Sequence, residues 1–192
     1  LWQPIEASVL QEKEERLRSR FPQCRTELAL LMRCGRHLAE ALSGAVEPLE
    51  LIFPGGSLEE AETFYGDSIF ARTANHHAAQ ALAAAIADLP EGRSVRILEL
   101  GAGTGGLTRH LIGRLPAGRA TYRFTDIGAA FVARAQQKYK DFPWMEFGVL
   151  DIENDPASQG FAPHSCDVVV AANCLHATRD MGVGELNNSY ED

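Results

Sequence analysis

The chain has 192 residues, of which 45% are hydrophobic and 23% charged, with a formal net charge of −8. That length allows one domain, or one domain with an appendage, and enough apolar residues for a substantial core. The acidic balance argues against a general nucleic-acid binder, which presents a basic face; no run approaches a membrane-spanning length, and the N-terminus lacks a signal-peptide pattern.

Taken in order, residues 6–20 interleave Glu12, Glu14 and Glu15 with Lys13, Arg16, Arg18 and Arg20, the pattern of a solvated helix with i,i+4 pairs. Residues 24–43 form a second predicted helix, with Leu28, Leu31, Leu38 and Leu42 at helical spacing. Pro48 and the Phe53-Pro54-Gly55-Gly56 stretch break the pattern and mark a loop. Ser57 with Glu60 forms a capping box for a short helix. Residues 75–87 are an Ala-rich helix, and Pro90-Glu91-Gly92 closes the helical region. From Val95 the texture alternates: strands are expected at 95–100, 121–126, 145–150 and 166–173, and helices at 105–115 and 128–140. This β-α-β-α order predicts a parallel sheet with right-handed crossovers. The expected organisation is a helical N-terminal cap on residues 1–90 followed by a Rossmann-like α/β core on residues 91–192. The four cysteines have no C-x-x-C spacing, and Cys166 and Cys174 lie in or beside an apolar strand. Buried free thiols and a reducing, cytoplasmic setting follow. A chain starting at Leu1 without an initiator Met reads as a piece excised from something larger.

The most informative stretch is residues 97–108, Ile-Leu-Glu-Leu-Gly-Ala-Gly-Thr-Gly-Gly-Leu-Thr. It reads as a buried strand, a glycine turn and a helix start. Gly101, Gly103 and Gly105 allow a sharp turn and close approach to a ligand, and open α/β sheets bind ligands at the carboxyl ends of their strands. Gly101, Gly103 and Gly106 also satisfy G-x-G-x-x-G, so a dinucleotide is an alternative to S-adenosylmethionine, as is a purely structural tight turn. Glu99, just ahead of the glycines, favours S-adenosylmethionine: a carboxylate there attracts an ammonium or sulfonium and repels a pyrophosphate.

Two further acids stand at the ends of the next strands. Asp126 can accept hydrogen bonds from ribose hydroxyls, or serve the helix that starts near Gly128. Asp151 can accept from an adenine amino group while Ile127 or Ile152 packs on the ring, or it is a turn aspartate. At the ligand-binding end of the fourth strand follow Asn173 and His176. His176 is a candidate general base or a packed histidine. His76 and His77 point to different faces of a helix, and no metal site emerges from the histidines.

Several segments resemble one family. They are Arg33-Cys34-Gly35-Arg36, residues 48–57 (Pro-Leu-Glu-Leu-Ile-Phe-Pro-Gly-Gly-Ser), the 98–106 glycine motif, Tyr122-Arg123-Phe124-Thr125-Asp126-Ile127, Leu150-Asp151-Ile152-Glu153, Gln159-Gly160-Phe161, and residues 172–180 (Ala-Asn-Cys-Leu-His-Ala-Thr-Arg-Asp). From about Leu28 to Asp180 the chain resembles the C-methyltransferase domain of modular type I polyketide synthases, a class I S-adenosylmethionine-dependent methyltransferase. The resemblance implies that Gly101, Ala102, Gly103 and Gly105 hold the methionine part of S-adenosylmethionine, that Asp126 takes the ribose and Asp151 the adenine, and that Tyr65 lies in a helical lid segment. It implies that His176 is catalytic, removing an α-proton from a β-ketoacyl thioester on an acyl carrier protein, so that the resulting enolate carbon takes the methyl group. Acyl carrier protein and neighbouring synthase domains are the implied partners.

One departure matters. In the family the chain continues through further strands, one ending in a glutamate that orients the histidine. Here residues 181–192 read Met-Gly-Val-Gly-Glu-Leu-Asn-Asn-Ser-Tyr-Glu-Asp, and Glu185 does not match that position. The expectation is a fragment or a truncated relic, with weak or no turnover by this form and with strand four left as a sheet edge. The competing readings are therefore a carbon methyltransferase, an inactive scaffold within a synthase, an O- or N-methyltransferase on the same fold, and, more distantly, a nicotinamide-dependent reductase.

Overall fold

The computed structural model describes residues 6–56, 63–66, 68–90, 92–116 and 118–178. They fall into two compact units, divided between Thr73 and Ala74. That division falls within the helix Ile69–Ala87, whereas the boundary expected from the sequence lies past the end of that helix, at residue 90.

The first unit is helical. Helix α1 (Ala7–Arg20) carries the interleaved charges. Glu14 pairs with Arg18 at 2.8 Å in its own helix and with Arg36 at 2.6 Å in α2 (Arg25–Arg36). The single helix expected over 24–43 is broken: His37 leaves helical geometry at φ −108°, ψ 15°, and α3 (Leu38–Leu42) starts anew. Gly35, a poor helix former, precedes the break. Pro48 does not end order but begins it. It occupies the first turn of α4 (Pro48–Ile52), where a missing N–H costs nothing. Arg33 Nε donates to the Leu51 carbonyl at 2.7 Å and ties α2 to the end of α4. The capping box at Ser57 and Glu60 lies outside the described residues. Helix α5 (Ile69–Ala87) starts ahead of the expected residue 75. Ser68 Oγ accepts the Ala71 N–H at 3.2 Å, an N-cap that the Ala-rich pattern further on had obscured, and Glu27 Oε1 accepts the Ile69 N–H at 3.1 Å.

The second unit is α/β. Strands β1 (Val95–Leu100), β2 (Ala120–Asp126), β3 (Met145–Val149) and β4 (Val168–Ala171) form one parallel sheet in the order β3-β2-β1-β4. The central strand β1 is buried at every position but Arg96, as a parallel strand covered on both faces must be. β4 stands at one edge, as expected, and is shorter than the 166–173 run. Ahead of it Asp167 is occupied by Arg96, whose backbone N–H and guanidinium it accepts. Beyond it Asn173 turns to φ +60°. The helix expected over 105–115 contracts to α6 (Thr108–Leu111), because Gly105 at φ +79° belongs to the turn before it. Helix α7 (Ala129–Lys138) links β2 to β3 as expected. Ile86, Ile97, Leu111, Tyr122 and Phe124 make the main core, and Leu98, Leu100, Leu150 and Phe161 a second cluster. No helix among the described residues is long and apolar enough to cross a membrane. This is the Rossmann-like α/β architecture that the alternating pattern predicted.

Candidate functional site

The loop after β1 is built on left-handed backbone. Gly101, Gly103 and Gly105 have φ of +54°, +54° and +79°, which side chains with a Cβ rarely adopt. At Gly101 space is the second constraint: a Cβ there would stand 2.5 Å from Cys174 Cβ and 2.8 Å from its Sγ. Cys174 in turn directs its Sγ to the Leu100 carbonyl at 3.3 Å, so the glycine turn lies directly against the chain leaving β4. The loop is pinned from β2 as well. The Ala102 N–H donates to the Thr125 carbonyl at 2.9 Å, and the Gly103 N–H to Asp126 Oδ2 at 2.8 Å.

Glu99 is 1% exposed. Its Oε2 accepts two hydroxyl donors, Thr108 Oγ1 at 2.5 Å and Tyr122 Oη at 2.6 Å. Its Oε1 is buried and has no hydrogen-bond partner among the described residues. Burial pushes the Glu99 carboxyl up to about 7; the Thr108 and Tyr122 bonds oppose that shift and the nearby Asp126 adds to it. Burial, reinforced by Glu99, also pushes the Tyr122 phenol well above its ordinary value, so it remains a donor. A buried carboxylate oxygen without a donor costs free energy, and a bound water, ion or ligand group can supply the missing donor. The donor set suits a cation: two carboxyls, Glu99 and Asp126, flank a loop of bare backbone, a poor place for a pyrophosphate.

Asp126 accepts a backbone amide on each of its two oxygens. Its Oδ2 holds the Gly103 N–H and its Oδ1 the Gly128 N–H at 2.8 Å, ahead of α7. Each oxygen retains acceptor capacity. Ile127 beside it is 65% exposed, a bare apolar side chain at the carboxyl end of β2. Asp151 is held in a turn: its Oδ1 accepts the Glu153 N–H at 2.9 Å and its Oδ2 the Asn154 side-chain amide at 2.7 Å. Gln159 brackets it, accepting the Asp151 N–H and donating to its carbonyl, both at 2.8 Å. Ile152 packs on the Leu98, Leu100, Leu150 and Phe161 cluster.

Asn173 and His176 are exposed beyond β4, His176 in the short turn Leu175–Ala177. The left-handed φ of Asn173 redirects the chain there, a conformation asparagine tolerates better than most residues. Tyr65 lies in the first unit, half-buried, with its ring edge-to-face with Phe64 at 5.1 Å. The structure thus brings Glu99, the glycine loop, Asp126 and the β4 exit together. Three contributors escaped sequence reasoning: Thr108, Tyr122 and Cys174. Tyr122 and Cys174 sit inside the resembling segments, and Gln159 does too, but the role of each depends on a contact with a distant part of the chain. All four cysteines are half-buried free thiols. Among the described residues no group of three or more His, Cys, Asp or Glu could hold a metal ion.

A parallel sheet carrying this acid-flanked glycine turn at the end of its first strand defines a nucleotide-cofactor domain of the methyltransferase type. Residues 98–190 match a family model described as a methyltransferase domain. Its relatives include polyketide synthases and, among solved structures, carbon methyltransferases. It is 40% identical over 150 residues to the polyketide synthase ThaG of Burkholderia thailandensis, covering 76% of this chain and 3% of ThaG. It is similar to the CurJ carbon methyltransferase (40% identity, TM-score 0.85, 95% of this chain and 48% of that one). It is similar, more distantly, to the trans-methyltransferase CalH in complex with S-adenosylhomocysteine (26% identity, TM-score 0.67, 94% and 49%). The chain therefore spans about half the length of these solved neighbours and a small part of the synthase.

Proposed function

We propose that the chain binds S-adenosylmethionine and belongs to an enzyme that methylates the α-carbon of a β-ketoacyl chain carried on an acyl carrier protein, among the other domains of a polyketide synthase. The observation that carries this reading is the acid-flanked glycine loop with the unpartnered, buried Oε1 of Glu99. When bound, the cofactor supplies an electrophilic methyl group. The chain's own residues do the rest. Glu99 accepts the ammonium of the methionine part, and the loop Gly101–Gly105 admits that part because no side chain stands in the way. Asp126 uses its remaining lone pairs for the ribose hydroxyls. Exposed Ile127 covers the adenine, and Asp151 and Ile152 border it from the next strand. Asn173 lines the exit of β4. His176, solvent-accessible on its turn, takes the α-proton of the acyl chain, and much of the rate comes from holding donor and acceptor in line. For Tyr65 the role rests on the resemblance alone. The four free thiols suit a reducing, cytoplasmic setting.

Calorimetric titration with S-adenosylhomocysteine tests the reading, with saturable one-to-one binding as the expected result. Replacing Asp126 by Asn is expected to weaken binding about 10- to 100-fold, since a hydrogen bond to a charged acceptor is worth roughly 1.5–3 kcal/mol. A well-folded chain that does not bind at all would refute the cofactor assignment.

A further inference from the structure

The Glu99 carboxylate is bonded on one oxygen only. Its two donors come from different elements: Tyr122 from the middle of β2, Thr108 from the first residue of α6. Both are buried and neither can swing toward solvent. Two donors converging on Oε2 fix the rotation of the carboxylate, and with it the direction of Oε1, which is left with no partner among the described residues. Most buried side-chain polar atoms have a partner, so an oxygen left without one calls for an explanation.

Resting on the reading that this site takes S-adenosylmethionine, we propose that Tyr122 and Thr108 are positioning residues that anchor Glu99 by Oε2 so that Oε1 receives the cofactor's ammonium, and that binding thereby displaces a proton from Glu99. The titratable groups acting on Glu99 and its anchor are Tyr122 itself, Asp126 at the end of β2, Cys174 beyond β4, and Tyr139, which faces Tyr122. None of them is cationic. Desolvation, with repulsion by Asp126, outweighs the two hydroxyl bonds and brings the group to about 7 in the ligand-free chain. At neutral pH the carboxyl is then divided between its two forms, and only the ionised form attracts an ammonium. Affinity approaches its full value at about one unit above the midpoint and falls as pH drops through 7.

The test is titration of the chain with S-adenosylhomocysteine at pH 6.0 and 7.5, in pairs of buffers of different ionisation enthalpy. Binding is expected to be roughly eightfold weaker at pH 6.0, the factor for a group with a midpoint near 7 whose protonated form does not bind, with a fraction of a proton released per ligand. Tyr122→Phe removes a donor to the ionised carboxylate, so the affinity loss begins at higher pH; Thr108→Val does the same. Glu99→Gln flattens the profile and removes the proton release. In the ligand-free protein, carbon NMR of the Glu99 carboxyl follows the midpoint directly, and thermal melting verifies that each variant is folded. Binding that is equally tight at both pH values, or a midpoint that Tyr122→Phe leaves in place, overturns this inference and leaves the functional reading intact. No binding by the folded chain at pH 7.5 overturns both.

Discussion

His176→Ala is expected to abolish methyl transfer to a carrier-bound β-ketoacyl mimic while leaving S-adenosylhomocysteine affinity nearly unchanged. The α-carbon of a β-ketoacyl thioester becomes a nucleophile only when its proton is removed, and a positioned base supplies about 10²- to 10⁴-fold in such steps. His176 sits on an exposed turn past β4, whereas the acids assigned to the cofactor stand at the ends of β1, β2 and β3. The two functions are therefore separable by substitution. The measurement is single-turnover transfer in the full-length protein that carries this sequence, paired with calorimetry of the same variant. A variant that binds and still transfers at the parent rate removes His176 from the role of base. Loss of binding together with transfer would make it a structural residue of the loop instead.

Gly101→Ala is expected to cost roughly 2–6 kcal/mol of stability and to eliminate cofactor binding. Two penalties add. A non-glycine residue at φ +54° carries strain of order 1–3 kcal/mol, and overpacking adds typically 1–3 kcal/mol. The new methyl would stand 2.5 Å from Cys174 Cβ, far inside contact distance, with Sγ at 2.8 Å. Neither atom can yield easily: the Cβ is attached to the backbone, and the thiol is engaged with the Leu100 carbonyl. The loop must shift, and it carries the Ala102 and Gly103 amides with it, away from Thr125 and Asp126. Urea denaturation of a double-mutant cycle separates the two penalties. With Cys174→Gly in the background the clash disappears, because the next nearest atom, Cys174 Cα, lies at an ordinary 4.0 Å. Gly101→Ala should then cost only the backbone strain. Two strictly additive substitutions would mean that the turn and the β4 exit do not touch in solution.

These effects show why some of the site was legible in the amino-acid order and some was not. The strand β1 coincides with the apolar run at 95–100, and its glycine turn was apparent because left-handed backbone demands a particular residue type. Asp126 and Asp151 were visible as acids at strand ends, each with a ligand-side and a turn-side alternative. The structure gives Asp126 its turn-side bonds to Gly103 and Gly128, and Asp151 its bonds to Glu153 and Asn154. These local bonds do not preclude the ligand-side role, since a carboxylate has more acceptor sites than they use. The helical region was read less well. Pro48 signals a break in isolation and a helix start when the chain before it already has the right direction. The break at His37 follows a single glycine, Gly35, a weaker signal than a proline and easily missed within a run of helix formers.

By itself the sequence determined a parallel α/β core, a glycine turn at the end of its first strand, and three acids at successive strand ends, because hydrophobic runs, φ preferences and charge are properties of neighbouring residues. Only the tertiary structure decided that Glu99 is gripped by Tyr122 and Thr108 on one oxygen, and that Cys174 closes against Gly101. Those contacts join residues that are remote along the chain and meet only when β2 and β4 pair with β1 on either side. The energetics of the site follow from that meeting: the same carboxyl that would be an ordinary acid in water is desolvated and half-anchored in the fold, and so is held near neutral pH.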